Sequence, residues 1–122
     1  MHVDAQMKKG LLDVCVLHVL KREDTYGYKL TQEITKILEI SESALYPVLR
    51  RLEDQGLLET YTAEYSGRLR KYYRITAAGI KKLNELILEL KELKKVIDLI
   101  IMDGENDGWK GNWFYRQVKK MP

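Results

Sequence analysis

Apolar residues recur every three or four positions along several stretches of this 122-residue chain, the spacing of helices that bury one face. The first stretch, Met7–Lys21, is apolar around most of its circumference and predicts a helix buried on more than one side. The second, Tyr26–Leu38, predicts a helix with Asp24 or Thr25 as its N-cap. Its expected inner residues are Leu30, Ile34, Ile37 and Leu38.

A third helix is predicted from the serines after Ile40 to a stop at Gly56. Its expected inner residues are Leu45, Val48, Leu49 and Leu52. We favour Ser43 over Ser41 as the N-cap, because Pro47 then falls near the first turn and costs one hydrogen bond. With Ser41 as the cap, Pro47 would lie deeper in the helix.

Alternating aromatic and β-branched residues follow, and they predict the strands Leu57–Tyr65 and Leu69–Ile75 with a turn at Ser66–Gly67. The tip and return strand carry four cations and no acid: Arg68, Arg70, Lys71 and Arg74. One of Tyr72 and Tyr73 should pack in the core and the other should face the groove beside this hairpin.

A long helix, Ala77–Met102, is predicted after an N-cap at Thr76. Its apolar residues repeat at close to 3.5 positions, as in coiled coils. They are Leu83, Leu86, Ile87, Leu90, Leu93, Ile97, Ile100 and Ile101. One small domain cannot cover so long a stripe, so we expect a homodimer with these residues at its interface. The acidic, glycine-containing run that starts at Asp103 is expected to end the helix.

Composition narrows the function classes. The net charge is only +3, so the basic hairpin is offset by acids elsewhere in the chain. One cysteine and two histidines supply neither a metal-ligand set nor a nucleophile with its base, so we expect no enzyme, no metal and no cofactor. The sequence shows neither a membrane span nor a secretion signal, which predicts a cytoplasmic protein without a membrane partner.

These parts predict a mostly α-helical fold with a small β-hairpin, namely a winged helix-turn-helix followed by a long C-terminal dimerisation helix. The third helix would enter the major groove of double-stranded DNA, and the wing would lie over phosphates or the minor groove. The outward residues of the third helix would include Glu42, Ser43, Tyr46, Arg50 and Arg51.

The stretches Leu45–Leu57, Gly67–Gly79 and Tyr26–Leu30 resemble the recognition helix, the wing and the second-helix opening of the PadR family of transcriptional regulators. The resemblance spans about Lys8–Ile101, and Leu69 departs from it where proline is frequent. It implies a dimeric repressor on a palindromic operator, released by a small aromatic or lipophilic ligand near the first and last helices. The expected DNA-binding residues are Tyr28, Lys29, Ser41, Ser43, Tyr46, Arg50, Arg51, Arg68, Arg70 and Lys71.

The expected organisation is a flexible extension at 1–6, a DNA-binding domain at 7–76, a dimerisation helix at 77–102 and an aromatic, basic tail at 103–122. The tail, with Trp109, Trp113, Phe114 and Tyr115, could pack on the dimer, reach DNA or stay disordered. The alternative function is a winged-helix module for protein interaction or ligand binding without sequence-specific DNA binding. The basic wing favours DNA binding, whereas the acids of the second and third helices favour the alternative.

Overall fold

The computed structural model describes residues 5–105 and residue 120. The elements in chain order are α1 (Ala5–Arg22), β1 (Thr25–Tyr26), α2 (Gly27–Thr35), α3 (Glu42–Asp54), β2 (Leu58–Tyr65), β3 (Arg68–Ile75) and α4 (Ala77–Glu105). The chain divides into two units between Leu86 and Ile87, within α4. The predicted fold class, mostly helical with a winged helix-turn-helix and a long C-terminal helix, is confirmed.

The core of the first unit lies where α1 packs against α2, α3 and β3. Aliphatic side chains from every helix fill it, as the apolar periodicity predicts. Its members include Leu12, Val16, Leu17, Leu20, Leu30, Ile34, Leu45, Leu49, Leu52 and Leu83. Because α3 is fastened on this inner face, its opposite face is left at the surface.

The sheet has three antiparallel strands in the order β1-β3-β2, so the predicted hairpin carries an additional short strand. β1 pairs Thr25 with Tyr73 and Tyr26 with Tyr72. The hairpin turn places both Ser66 and Gly67 at positive φ, 51° and 78°, as a two-residue type I′ turn requires. Because side chains alternate along β3, Tyr73 is buried and Tyr72 lies on the opposite face.

Helix α2 is shorter than the predicted Tyr26–Leu38, and its predicted caps are wrong. Its N-cap is Tyr26, whose side chain makes no capping hydrogen bond. Thr25 is buried in β1 instead, and Asp24 accepts hydrogen bonds from the hairpin. The helix ends at Thr35, after which Leu38 stays buried while Ile37 turns outward, contrary to its predicted inward position.

Helix α3 is capped by Ser41, so the preference for Ser43 is wrong. The Ser41 hydroxyl accepts a hydrogen bond from the Ala44 amide at 3.2 Å. The Ser43 side chain instead pairs with the Ser41 hydroxyl at 3.1 Å. Pro47 therefore lies inside the helix, where it provides no amide donor for the Ser43 carbonyl. Its exposed position lets water satisfy that carbonyl.

The helices at the two ends of the chain are longer than predicted. Helix α1 begins at Ala5, so it includes part of the predicted extension at 1–6, whose residues 1–4 lie outside the described residues. Helix α4 runs past Met102 to Glu105, so Asp103 does not break it. Two poor helix formers cost only about 1 kcal/mol each, which does not end a long helix. The aromatic residues Trp109, Trp113, Phe114 and Tyr115 lie outside the described part of the chain.

The second unit contains the remainder of α4, from Ile87 onward. Its charged side chains pair along the helix, Lys94 with Asp98 at 2.7 Å and Lys95 with Glu92 at 3.3 Å. None of the described helices is both long enough and apolar enough to cross a membrane.

Candidate nucleic-acid interface

The outer face of α3 presents the side chains that a recognition helix would use. Leu45, Leu49 and Leu52 are buried, so the residues between them point outward. Ser43, Tyr46 and Arg50 are all exposed on this face. The part of the sequence-predicted DNA surface that lies on α3 is therefore accessible in the first unit.

The start of α2 lies close to α3. A Cβ added at Gly27 would come within 2.6 Å of the Tyr46 hydroxyl oxygen, so any larger residue there would have to push the tyrosine ring aside. The first amides of a helix have no intrahelical partner, and at α2 the N-cap side chain does not satisfy them either. They carry the positive end of the helix dipole. Such an end favours an anion.

The first turn of α2, the start of α3 and the return strand of the wing meet around one cavity, which we call the cradle. It contains two candidate phosphate-binding cations, Arg70 and Lys71, beside the amide end of α2. The cradle is lined by Tyr26, Gly27, Tyr28, Glu42, Tyr46, Arg70, Lys71 and Tyr73. Four of the sequence-predicted DNA-binding residues, Tyr28, Tyr46, Arg70 and Lys71, are thus brought together although they span 44 positions of the chain.

Arg70 is held in the cradle by aromatic rings. The carbon of its guanidinium group lies 4.4 Å from the centre of the Tyr26 ring and 6.0 Å from that of Tyr65. Cation–π attraction orients the side chain without neutralising its charge. Its Nε is buried and has no hydrogen-bond partner within the described part of the chain.

Lys71 lies between the cradle and a neighbouring depression that Arg50 also lines. Its ammonium nitrogen is 5.5 Å from the centre of the Tyr73 ring and 4.0 Å from the nearer carboxylate oxygen of Glu53. At that distance the exposed pair is weak, so the charge of Lys71 stays available to a stronger anion.

Glu42 places a carboxylate in the wall of the cradle. It accepts a hydrogen bond of 2.8 Å from the Tyr46 hydroxyl through its Oε1 atom. This bond is the main reason that the pKa of Tyr46 is raised above its ordinary value. Tyr46 is thereby fixed between Glu42 and Gly27 as a neutral hydroxyl that faces the cradle.

Arg51, another predicted DNA-binding residue, is engaged elsewhere. Its guanidinium donates two hydrogen bonds to the Asp13 carboxylate of α1, at 3.0 and 2.5 Å. The pair joins the last turn of α3 to α1 across 38 positions of the chain. The structure therefore gives Arg51 a partner inside the protein, a contact that local sequence patterns cannot reveal.

Two further predicted residues also have intramolecular roles. Ser41 caps α3, as described above. Lys29 pairs with Glu23 at 3.4 Å, and the nearby carboxylate raises the pKa of the lysine. Since both partners are largely exposed, this ion pair contributes little to stability and can exchange for another anion.

The wing tip is accessible. Arg68 follows the turn and is exposed. Leu69, which stands where proline is frequent in the family, pairs with Glu64 in the strand ladder, so the hairpin closes without that proline. Its side chain is 76% exposed.

The fourth cation of the wing, Arg74, is paired. It donates to Asp24 at 3.2 Å and to Glu59 at 3.4 Å. Asp24 also accepts from the Tyr61 hydroxyl at 2.8 Å. The charge that the hairpin offers to an external anion is therefore smaller than its sequence suggests.

The outer face of the sheet carries a tyrosine stack that the sequence analysis missed. The ring of Tyr72 stacks on that of Tyr61, with centres 5.4 Å apart, and meets Tyr26 edge-on at 5.6 Å. The tyrosines were visible in the sequence, but their contact depends on the strand register. The stack supports the rings that hold Arg70.

The residues predicted for a dimer interface fall into three groups. Leu83 is completely buried within the first unit and thus belongs to its core. Leu86, Ile87 and Leu90 are half-buried. Leu93, Ile97, Ile100 and Ile101 of the second unit are 41–56% exposed.

No group of three metal-ligating residues occurs among the described residues. Cys15 is partly buried in α1, and this burial raises the pKa of its thiol. A thiol with a raised pKa is a poor nucleophile.

Comparison with known proteins gives consistent matches. The profile of the family described as "Transcriptional regulator PadR-like family" matches residues 16–85. A protein of Lysinibacillus sphaericus that carries no functional description is 39% identical over 104 residues, which cover 81% of this chain and 95% of that protein. A transcriptional regulator of Mycobacterium tuberculosis is 33% identical over 93 residues, covering 75% of this chain and 87% of the regulator.

Solved structures share the architecture. A protein of Streptococcus mutans superposes with a TM-score of 0.73 at 43% identity, covering 76% of this chain and 88% of its own. A PadR-like transcriptional regulator of Bacillus cereus gives a TM-score of 0.73 at 31% identity, covering 80% of this chain and 97% of its own.

Proposed function

Because the chain belongs to the PadR-like family of transcriptional regulators, we propose that it binds a specific double-stranded DNA operator as a homodimer. In this proposal α3 lies in the major groove, with Ser43, Tyr46 and Arg50 toward base edges and phosphates. The proposed organisation keeps the DNA-binding domain at 7–76 and a dimerisation helix that begins at Ala77.

The cradle would hold a backbone phosphate. Arg70 and Lys71 supply two positive charges from the wing, and the uncapped start of α2 supplies amides and the helix dipole. Tyr28, which lines the cradle and is 55% exposed, would add a side-chain donor. Lys29 lies outside the cradle beside Glu23 and would exchange that partner for a neighbouring phosphate. Arg68 at the wing tip would contact the next phosphates or the minor groove.

The observation that carries this proposal is the convergence of α2, α3 and the wing on the cradle. Each element alone presents ordinary surface charges. Together they place cations and amide donors beside the exposed face of the helix that would read bases. Phosphate contacts fix the register of a protein on DNA, and base contacts select the sequence.

The test is a fluorescence-anisotropy titration of the full chain with its own promoter region and with random DNA at several salt concentrations. We expect tighter binding to the promoter and a steep linear fall of log affinity with log salt. Selection from random sequences should return two half-sites about 10 bp apart. Absent or salt-insensitive binding in both experiments would overturn the proposal.

The proposed dimer rests on the exposed apolar residues of α4. Leu93, Ile97, Ile100 and Ile101 recur at helical spacing, and their exposure is costly for a chain that remains single. Sedimentation equilibrium should give twice the mass of one chain, and a monomer at micromolar concentration would contradict this part of the proposal.

The proposal also includes repression of transcription and release of the protein from DNA by an effector. A cytoplasmic repressor of this family would lose DNA when a small aromatic or lipophilic compound binds near α1 and α4. Reporter transcription from the selected operator, with and without the protein, tests the sign of regulation. A screen of aromatic compounds for loss of anisotropy tests release.

A further inference from the structure

Glu42 is an acid within a surface that otherwise suits an anion. It is the first residue of α3 and lines the cradle together with Arg70 and Lys71. None of the arginine, lysine or histidine side chains in the described residues forms an ion pair with Glu42. A carboxylate in this position repels the phosphate that the cradle would attract.

The Glu42 carboxylate is also held in place. Tyr46 donates to its Oε1 atom at 2.8 Å, and the tyrosine is itself confined by Gly27. An ionised carboxylate only accepts hydrogen bonds, so Oε2 remains a second acceptor on the same group. A DNA phosphate has no donor to offer this oxygen.

Base edges in the major groove do offer donors, and residues at the start of a recognition helix are the ones that reach them. The amino group of cytosine is the usual partner of a glutamate there. DNA that presents this amino group would supply a donor to the Glu42 Oε2 atom, whereas other DNA would leave that atom without a donor beside phosphates.

We propose that Glu42 is a specificity-determining residue that accepts a hydrogen bond from a cytosine amino group in each half-site and weakens binding to DNA that lacks it. The inference rests on the proposed function and adds a residue that acts partly by exclusion. The competing explanation is that Glu42 only stabilises the N-terminus of α3.

The test compares the wild-type chain with Glu42→Gln, which keeps the shape of the side chain and removes its charge. Glu39→Gln, an equal change of charge at an exposed position in the loop before α3, is the matched control. We expect Glu42→Gln to bind random DNA about three- to tenfold more tightly at 0.1 M salt. Glu39→Gln should change this affinity by less than about twofold.

Selection from random sequences gives the second readout. The wild-type chain should enrich cytosine at one position of each half-site, and Glu42→Gln should lose that preference while it keeps the others. An unchanged preference at every position, or an affinity gain no larger than that of Glu39→Gln, would overturn the role of Glu42. A wild-type chain that enriches no sequence would instead overturn the proposed function, so the two failures are distinct.

Discussion

The ion pair between Arg51 and Asp13 predicts that Arg51 supports the position of α3 without touching DNA. The contact is bidentate, and the side chains of Arg51 and Asp13 are 46% and 24% exposed. A surface pair contributes up to about 1 kcal/mol, and bidentate geometry favours the upper end of that range. We therefore expect Arg51→Met to lower the free energy of unfolding by about 1 kcal/mol.

A loss of this size should lower the melting temperature by about 4–5 °C, given the entropy of unfolding of a domain near 100 residues. Thermal unfolding followed by circular dichroism measures it. The reversed pair, Asp13→Arg with Arg51→Asp, should recover part of the stability that each single change removes.

The salt dependence of DNA binding separates a supporting residue from a phosphate contact. Each phosphate contact contributes about 0.9 to the slope of log affinity against log salt, so a dimer that loses one contact per chain loses about 1.8. Arg68→Met should show that loss and keep its melting temperature. Arg51→Met should keep the slope and lose stability. A slope for Arg51→Met that falls as far as that of Arg68→Met, at unchanged stability, would refute the reasoning.

Three further outcomes are expected. Replacing Arg68 and Arg70 together by alanine should weaken operator binding and flatten its salt dependence while the circular dichroism spectrum stays unchanged. Gly27→Ala should displace the Tyr46 hydroxyl, which would lie 2.6 Å from the new methyl group, and lower both the melting temperature and operator affinity. Ile97→Glu should yield a monomer in sedimentation equilibrium, because it puts a charge into the proposed apolar interface.

Matched controls exist for the last two changes. Gly10 lies in α1 with open space around its Cβ position, so Gly10→Ala should be neutral or stabilise the helix by up to about 1 kcal/mol. Leu88 is 63% exposed and lies outside the predicted stripe, so Leu88→Glu should leave the dimer intact. If Gly10→Ala acts like Gly27→Ala, the contact with Tyr46 is not the cause of the effect. If Leu88→Glu acts like Ile97→Glu, the predicted stripe is not the interface.

Local patterns predicted the elements because they depend on neighbours within one or two turns. The inner face of α3 follows from the spacing of Leu45, Leu49 and Leu52, all of which are buried. The Ser66–Gly67 turn follows from the positive φ that a two-residue hairpin needs. Element ends were less accurate, because Ser41 and Ser43 are both able to cap and only the folded backbone selects Ser41.

Periodicity and turn chemistry act over short distances, so they were enough to predict a winged helix with a basic hairpin and a long apolar helix. The folded chain shows which cations pair closely with acids, because pairing depends on residues far apart in the sequence. It joined Arg51 to Asp13 and Arg74 to Asp24, and it gathered Arg70 and Lys71 beside the start of α2. Charge counting treats these cations alike, whereas the fold separates those that pair with acids across the chain from those that line the proposed phosphate site.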